Sequence, residues 1–216
     1  IFLKIRFPRM QLRFFLTIPV HLAIGKGIPK KNRIALYSIY NKVKQTSFVS
    51  EEDFKENFKL LIPKNFNFAY DVVDAWAEET PNKTALIWTN DEGEEYRLSF
   101  CDLKKESDQA ASYLHTIGIN RGDMVMLIEK RRLEWWITML ALHKLGAVPI
   151  PATHMLTSHD IVYRCNAASV KAIICVGESY VLGEVQKAMP ESPTVESLVS
   201  IGPLVPEGFH DWHAEI

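Results

Sequence analysis

Residues 124–151 read MVMLIEKRRLEWWITMLALHKLGAVPIP, and the change of pattern inside this stretch decides the fold. Met124 to Ile128 is an unbroken apolar run, as strands buried on both faces of a parallel sheet are. Leu133, Trp136, Ile137, Leu140 and Ala141 then recur at helical spacing, and Gly146 stands where a left-handed helix terminator belongs. Ala147 to Ile150 reads as the next strand. A strand, a helix and a second strand in this order make a crossover unit, the connection that two parallel neighbours require.

The same alternation extends in both directions. Downstream, Thr157 with Asp160 three positions on predicts a capped helix through Cys165. Lys171 to Val176 follows as a strand, Tyr180 to Met189 as a helix and Ser197 to Ile201 as a further strand. Upstream, Ser99 is placed to cap a helix whose apolar stripe is Leu103, Ala110, Ala111, Leu114 and Ile117, closed by Gly118. Before it, Ala85 to Thr89 and the alternating Tyr96, Leu98 and Phe100 flank a polar turn and predict a hairpin. Ala69, Val72, Val73, Trp76 and Ala77 predict a helix of about three turns ending at Pro81, with Asp71, Asp74 and Glu78 on its outer side. The expected fold class is α/β, a doubly wound, mostly parallel sheet with flanking helices over residues 48–216.

At 216 residues with 47% hydrophobic and 24% charged content, the chain has the composition of one globular domain, with or without an appendage. Cys101, Cys165 and Cys175 form no CxxC pair, which argues against a disulfide framework or a cysteine zinc site. The net charge of -1 averages two unlike parts: residues 1–50 hold ten Lys or Arg and no acid, leaving 15 basic against 26 acidic groups afterwards. An acidic body of this kind has no general attraction for nucleic acid.

Residues 1–47 are expected to be a basic leader that is poorly ordered or not native. A secretory signal is interrupted by Pro19 and His21, and a transit peptide lacks serine before Ser38. The apolar run Phe14 to Ile24 is about half of the roughly 20 residues a membrane span needs. The preferred expectation is a fragment that starts at Ile1, with translated sequence upstream of the true start. The cytoplasm is the expected location, and the mitochondrial matrix the alternative if the leader is a transit peptide.

In doubly wound sheets, ligands lie outside the carboxyl ends of the strands, so two loops matter most. Lys130, Arg131 and Arg132 follow one strand at the start of a helix, where phosphate can be held, but no glycine-rich phosphate motif accompanies them. Thr153, His154 and Met155 follow the next strand, and the histidine is a candidate ligand or base. Other constellations carry less. Asp91, Glu92, Glu94 and Glu95 suit a solvated loop tip, while Ser158, His159 and Asp160 are sequence neighbours that cannot relay a proton as a hydrolase triad. His210 and His213 lack companion metal ligands, and the Trp135-Trp136 pair reads as core with an interfacial neighbour.

Four stretches, in order, carry a resemblance: FNFAYDVVDAWAEETPNKTAL at 66–86, EYRLSFCDL at 95–103, GINRGDMVML at 118–127 and EWWITMLALHKLGAVPIPATHMLTSHDIVYR at 134–164. Together they resemble the beginning of the large domain of adenylate-forming (AMP-binding) acyl-CoA synthetases, and within them the medium-chain branch. The resemblance implies a ligase that joins a carboxylate to ATP, releases pyrophosphate and passes the acyl group from AMP to coenzyme A.

It implies ATP, Mg2+ and CoA as requirements of a full-length enzyme, and none of them bound tightly by this portion. The family's phosphate loop, magnesium motif and adenylation lysine have no counterpart among these residues, so no catalytic residue and no metal ligand is expected here. Thr153, His154 and Met155 are implied to lie on the coenzyme A side, whereas the positions of Lys130, Arg131 and Arg132 are usually not basic in the family. The competing expectations are a non-catalytic binding or regulatory module derived from such an enzyme, and a generic nucleotide-binding α/β domain. Acyl-chain length and oligomeric state leave no signature in these residues.

Overall fold

A computed structural model of the chain describes residues 48–59 and 62–216; the expectation for the leader at 1–47 lies outside the described residues. By contacts the chain divides into two compact units, the first ending at Asp102 and the second beginning at Leu103.

The first unit opens with a short helix, α1 (Glu51–Asn57), whose Ser50 cap accepts a hydrogen bond from the Asp53 amide at 3.1 Å. The helix buries nothing, and the rings of Phe48, Phe54 and Phe58 gather on one another instead. The helix expected around residues 69–77 begins as a π-helical turn, Ala69–Asp74, and continues as α2 (Ala75–Glu79). Its inner side holds Ala69, Val73, Trp76 and Ala77, but Asp74 is buried rather than outward. A π turn carries an extra residue per turn, which rotates Asp74 away from the position that 3.6-residue spacing assigns to it. Trp76 stacks on Phe100 at 5.6 Å between ring centroids, with the Lys83 ammonium 4.1 Å from the Trp76 ring.

The hairpin is present as β1 (Thr84–Thr89) and β2 (Glu95–Ser99), antiparallel with Leu86 opposite Leu98 and Trp88 opposite Tyr96. Phe100 leaves the strand and starts a helix, and Tyr96 is half exposed. The ribbon has two strands only, so alternation along β2 does not translate into a buried face.

α3 (Phe100–Thr116) starts within the first unit, where Ser99 and Asp102 cap each other's amides at 3.1 and 2.9 Å, and the rest of it, from Leu103, belongs to the second. There follow β3 (Met124–Ile128), α4 (Leu133–Leu145), β4 (Val148–Pro151), α5 (Ser158–Ala168), β5 (Val170–Val176) and α6 (Ser179–Ala188). After a 3-10 turn, Met189–Glu191, come β6 (Ser197–Ile201), β7 (His210–Asp211) and α7 (Trp212–Glu215). All five strands of this sheet pair in parallel, in the order β4-β3-β5-β6-β7. The chain leaves β3 to one side for β4 and returns past it to β5, so the order reverses beside β3 and the architecture is doubly wound.

Burial follows from this topology. Met126, Ile128, Ile173 and Cys175 on one face join Ile161 and Cys165 of α5 and Val181, Leu182 and Val185 of α6 in a single core cluster. Val125, Leu127 and Ile174 point the other way and are equally buried, as residues of a sheet covered on both faces must be. The strand expected at Ala147–Ile150 is found one residue later, as an edge strand with Val148 and Pro151 exposed. Proline explains the edge position: Pro149 and Pro151 have no amide to give to a further neighbour. α5 runs past Cys165 and stops at Ser169, which takes the left-handed conformation at φ 51°. Gly146 ends α4 in the same conformation at φ 70°, without the side-chain crowding that Ser169 tolerates. β7 has two residues and leaves no period to read.

Candidate functional site

The reversal of strand order places the ligand-side crevice of the second unit outside the carboxyl ends of β3 and β5. Three connections emerge there: residues 129–132 after β3, 152–157 after β4 and 177–178 after β5.

The residue that follows the last apolar position of β3 is Glu129, and it is fully buried. Among the described residues, one carboxylate oxygen, Oε1, has no hydrogen-bond partner, and Oε2 receives a single long bond of 3.4 Å from Thr138 Oγ1. That hydroxyl makes its better bond, 2.8 Å, to the Glu134 carbonyl. Burial, and after it the neighbouring Glu134 carboxylate, push the Glu129 carboxyl well above the usual carboxylate range; Thr138 and Arg132 oppose them less strongly. Across the sheet, Cys175 sits beside Ile128, and burial followed by the field of Glu129 pushes its thiol up to about 12. The thiol is therefore not a nucleophile at neutral pH.

Lys130, Arg131 and Arg132, weighed in the sequence as an anion site against a solvated loop, each have partners. Lys130 takes the left-handed backbone conformation at φ 54° and reaches across the crevice to Glu178, donating to Oε1 at 2.7 Å and also to Oε2. Arg132 makes two bonds to Glu134, 3.0 and 3.2 Å, and Arg131 is engaged as well. Lys130 and Arg132 are thus held by carboxylates rather than aimed together at a phosphate.

Thr153, His154 and Met155 form the exposed crest of the next connection, with Met155 68% exposed. Its backbone is closed from below: the Ala152 amide donates to the Leu127 carbonyl at 2.8 Å, and the Met155 amide to Thr153 Oγ1 at 3.3 Å. Leu156, nearly buried, turns into the core cluster and pins the loop. Thr157 then caps α5 in a complete capping box with Asp160. The crest thus offers three side chains on a tied backbone.

The remaining candidates resolve into structural roles. Ser158 and Asp160 lie in the first turn of α5, where the Ser158 amide donates to Glu184 at 2.7 Å and Asp160 serves the cap. His210 meets the Tyr113 ring at 6.2 Å, while His213 Nε2 lies 3.2 Å from Glu134 Oε1, so each has a different partner. Trp135 and Trp136 pack edge to face at 4.5 Å, and both are half-buried; neither belongs to the fully buried core expected for one of them. The hairpin acids are exposed at a turn tied by Asn90 and Glu94.

Glu129 and Glu134 were not singled out by the sequence. The available signal was an acid directly after an unbroken apolar strand, at the position where such strands end inside the core.

Comparisons with known proteins cover the same region. The family described as AMP-binding enzyme matches residues 73–214. Acyl-coenzyme A synthetase ACSM3, mitochondrial, of Mus musculus is 38% identical over 154 residues, 68% of this chain and 26% of that protein. Acyl-coenzyme A synthetase ACSM4, mitochondrial, of Homo sapiens is 36% identical over 157 residues, 70% of this chain and 26% of that protein. The chain therefore spans about a quarter of the length of the curated relatives it matches.

Among solved structures, the anthranilate CoA ligase AuaEII in complex with anthranoyl-AMP aligns with a TM-score of 0.63 at 24% identity, covering 71% of this chain and 28% of that one. A putative long-chain-fatty-acid CoA ligase from Rhodopseudomonas palustris aligns with a TM-score of 0.59 at 21% identity, covering 68% and 35%. These two likenesses show that the chain shares the fold of those two proteins. With the family match extending over most of its described residues, this chain belongs to the AMP-binding enzyme family.

Proposed function

We propose that this chain is the opening portion of an ATP-dependent carboxylate–CoA ligase that acts on medium-chain fatty acids. The match to the AMP-binding family over residues 73–214 carries this reading, and the identity to acyl-coenzyme A synthetases supports it. In the reaction, the carboxylate oxygen attacks the α-phosphorus of ATP and pyrophosphate leaves; the CoA sulfur then attacks the acyl carbon and AMP leaves. The first step replaces a poor leaving group on carbon with AMP. Medium-chain substrates are favoured by the resemblance of residues 134–164 to that branch.

Residues of this chain supply the scaffold, together with Thr153, His154 and Met155 as the coenzyme A-side crest. Hydroxyl and imidazole suit the polar groups of the cofactor arm, and the exposed thioether suits its apolar part. Magnesium supplies charge neutralisation on the phosphates in this reaction class. Among the described residues no three His, Cys, Asp or Glu side chains could hold a metal ion, so no step is routed through one here. Among the described residues no helix is long and apolar enough to cross a membrane. The cytoplasm remains the location read from the chain alone, while the mitochondrial names of the relatives and the acid-free basic first fifty residues support the matrix.

Pyrophosphate release with octanoate, ATP and Mg2+ tests the reading. The longest polypeptide the reading frame encodes is expected to release pyrophosphate and form a CoA thioester, and the 216-residue chain to release none. In the active polypeptide, His154→Ala and Met155→Ala should raise the KM for CoA and leave octanoate-dependent ATP–pyrophosphate exchange unchanged. Failure of the first arm removes the ligase; failure of the second removes the crest alone.

A further inference from the structure

The β3–α4 turn covers a carboxyl group that the rest of the structure does not satisfy, and this is a different matter from the coenzyme A-side crest. Glu129 is fully buried, and among the described residues its Oε1 has no hydrogen-bond partner. From the turn comes Arg132, already bonded to Glu134; from α4 come Glu134, 12% exposed, and Thr138; from β5 comes Cys175. His213 of α7 reaches the same Glu134 carboxylate at 3.2 Å. Of this set, among the described residues, Thr138 alone donates to Glu129, and at 3.4 Å.

We propose that Glu129 is an ionisation-sensitive latch: as a neutral acid it lets residues 129–132 close over the carboxyl end of the sheet, and as a carboxylate it opens them. The direction of its titration agrees, since burial and Glu134 both hold the proton on. A neutral carboxyl packs among Ile128, Thr138 and Cys175 at modest cost, whereas a buried charge without donors is strongly disfavoured.

Opening is confined to this turn by the way the turn is held. Lys130 sits in a conformation that costs a non-glycine residue free energy, and α4 begins at Arg132 with no side-chain cap. The outer clamps are two partly exposed ion pairs, Lys130 with Glu178 and Arg132 with Glu134, a class of interaction that contributes little. The strands beneath are buried except at Met124 and Lys171. The weakest structure around Glu129 is therefore the turn itself, which borders the crevice where ligands of doubly wound domains bind.

The sign follows from linkage. A carboxyl raised in the folded state stabilises the closed form fully below the ordinary glutamate value of about 4.3, and that contribution is lost as pH rises through the folded value. The experiment is a pH series from 5 to 9 on the 216-residue chain, reading amide protection factors at residues 130–136 against those at 173–175, with 13C NMR of the Glu129 carboxyl. Protection at 130–136 is expected to fall at least about tenfold relative to the strand in the wild type, and less than about twofold in Glu129→Gln. Glu129→Leu is the second non-titrating variant, and the carboxyl titration of the wild type decides the matter should neither variant fold. A pH dependence in the variants equal to that of the wild type, a flat wild-type profile, or a Glu129 carboxyl titrating with the exposed glutamates overturns the latch.

Discussion

Two connections leave neighbouring parallel strands at their carboxyl ends, and they are built in opposite ways. After β3, the turn at 129–132 has a polar interior, the buried Glu129, and is closed on the outside by the ion pairs of Lys130 and Arg132. After β4, the loop at 152–157 has an apolar interior, Leu156, and leaves Thr153, His154 and Met155 exposed on the outside. The helix after the first begins at Arg132 without a side-chain cap; the helix after the second begins with the full Thr157–Asp160 box. The lesson concerns where free energy is placed. A loop whose backbone is anchored by burial and capping can present side chains to a ligand, whereas a turn that spends its charged side chains on closure cannot.

The comparison breaks first at Leu156. Replacing Leu156 by Ala removes the apolar anchor of the second connection and is expected to cost about 2–3 kcal/mol, because the surrounding cluster with Ile161 and Val181 relaxes only in part. Urea unfolding followed by far-UV circular dichroism measures it, and a cost below about 1 kcal/mol would show that the loop is held by its backbone bonds alone. Thr157→Ala is the next test. It removes the acceptor of the Asp160 amide, and with it half of the capping box, at an expected cost of about 1 kcal/mol in the same unfolding series. An effect within error of zero would place the start of α5 under the control of Glu184, which accepts from the Ser158 amide.

Of the two devices of the second connection, the cap was legible because it is written locally, whereas the burial of Leu156 was not read. Thr157 and Asp160 stand three apart, and the alternation of apolar and polar blocks fixes β3, α4, α5, β5, α6 and β6 to within a few residues. The first connection was legible only as a run of cations. What decides its chemistry is the pairing of Lys130 with Glu178, 48 positions away, and of Glu134 with His213, which depend on how parallel strands lie side by side. The buried Glu129 was hidden for a related reason: strand period says which residues are covered, but not that cover continues one residue past the last apolar side chain. Asp74 was misassigned because a π turn changes the period on which the assignment rests. The position of β4 at the sheet edge, by contrast, was available from Pro149 and Pro151 and follows from their missing amides.

The smallest expected effect sharpens the comparison most. Lys130→Gly changes two quantities of opposite sign in the first connection. Glycine adopts φ near 54° without the side-chain crowding that lysine carries there, a relief of about 1 kcal/mol. The same change removes the partner of Glu178 in a pair whose side chains are 33% and 49% exposed, and such pairs contribute about 0–1 kcal/mol. The net change in unfolding free energy is therefore expected to lie between zero and about 1 kcal/mol in favour of the variant. Glu178→Gln separates the two contributions, since it deletes the ion pair and keeps the strained lysine. If Glu178→Gln destabilises and Lys130→Gly does not, strain and clamp balance in the turn. If both leave stability unchanged, the clamp contributes nothing, and closure of the first connection rests on the neutral carboxyl beneath it.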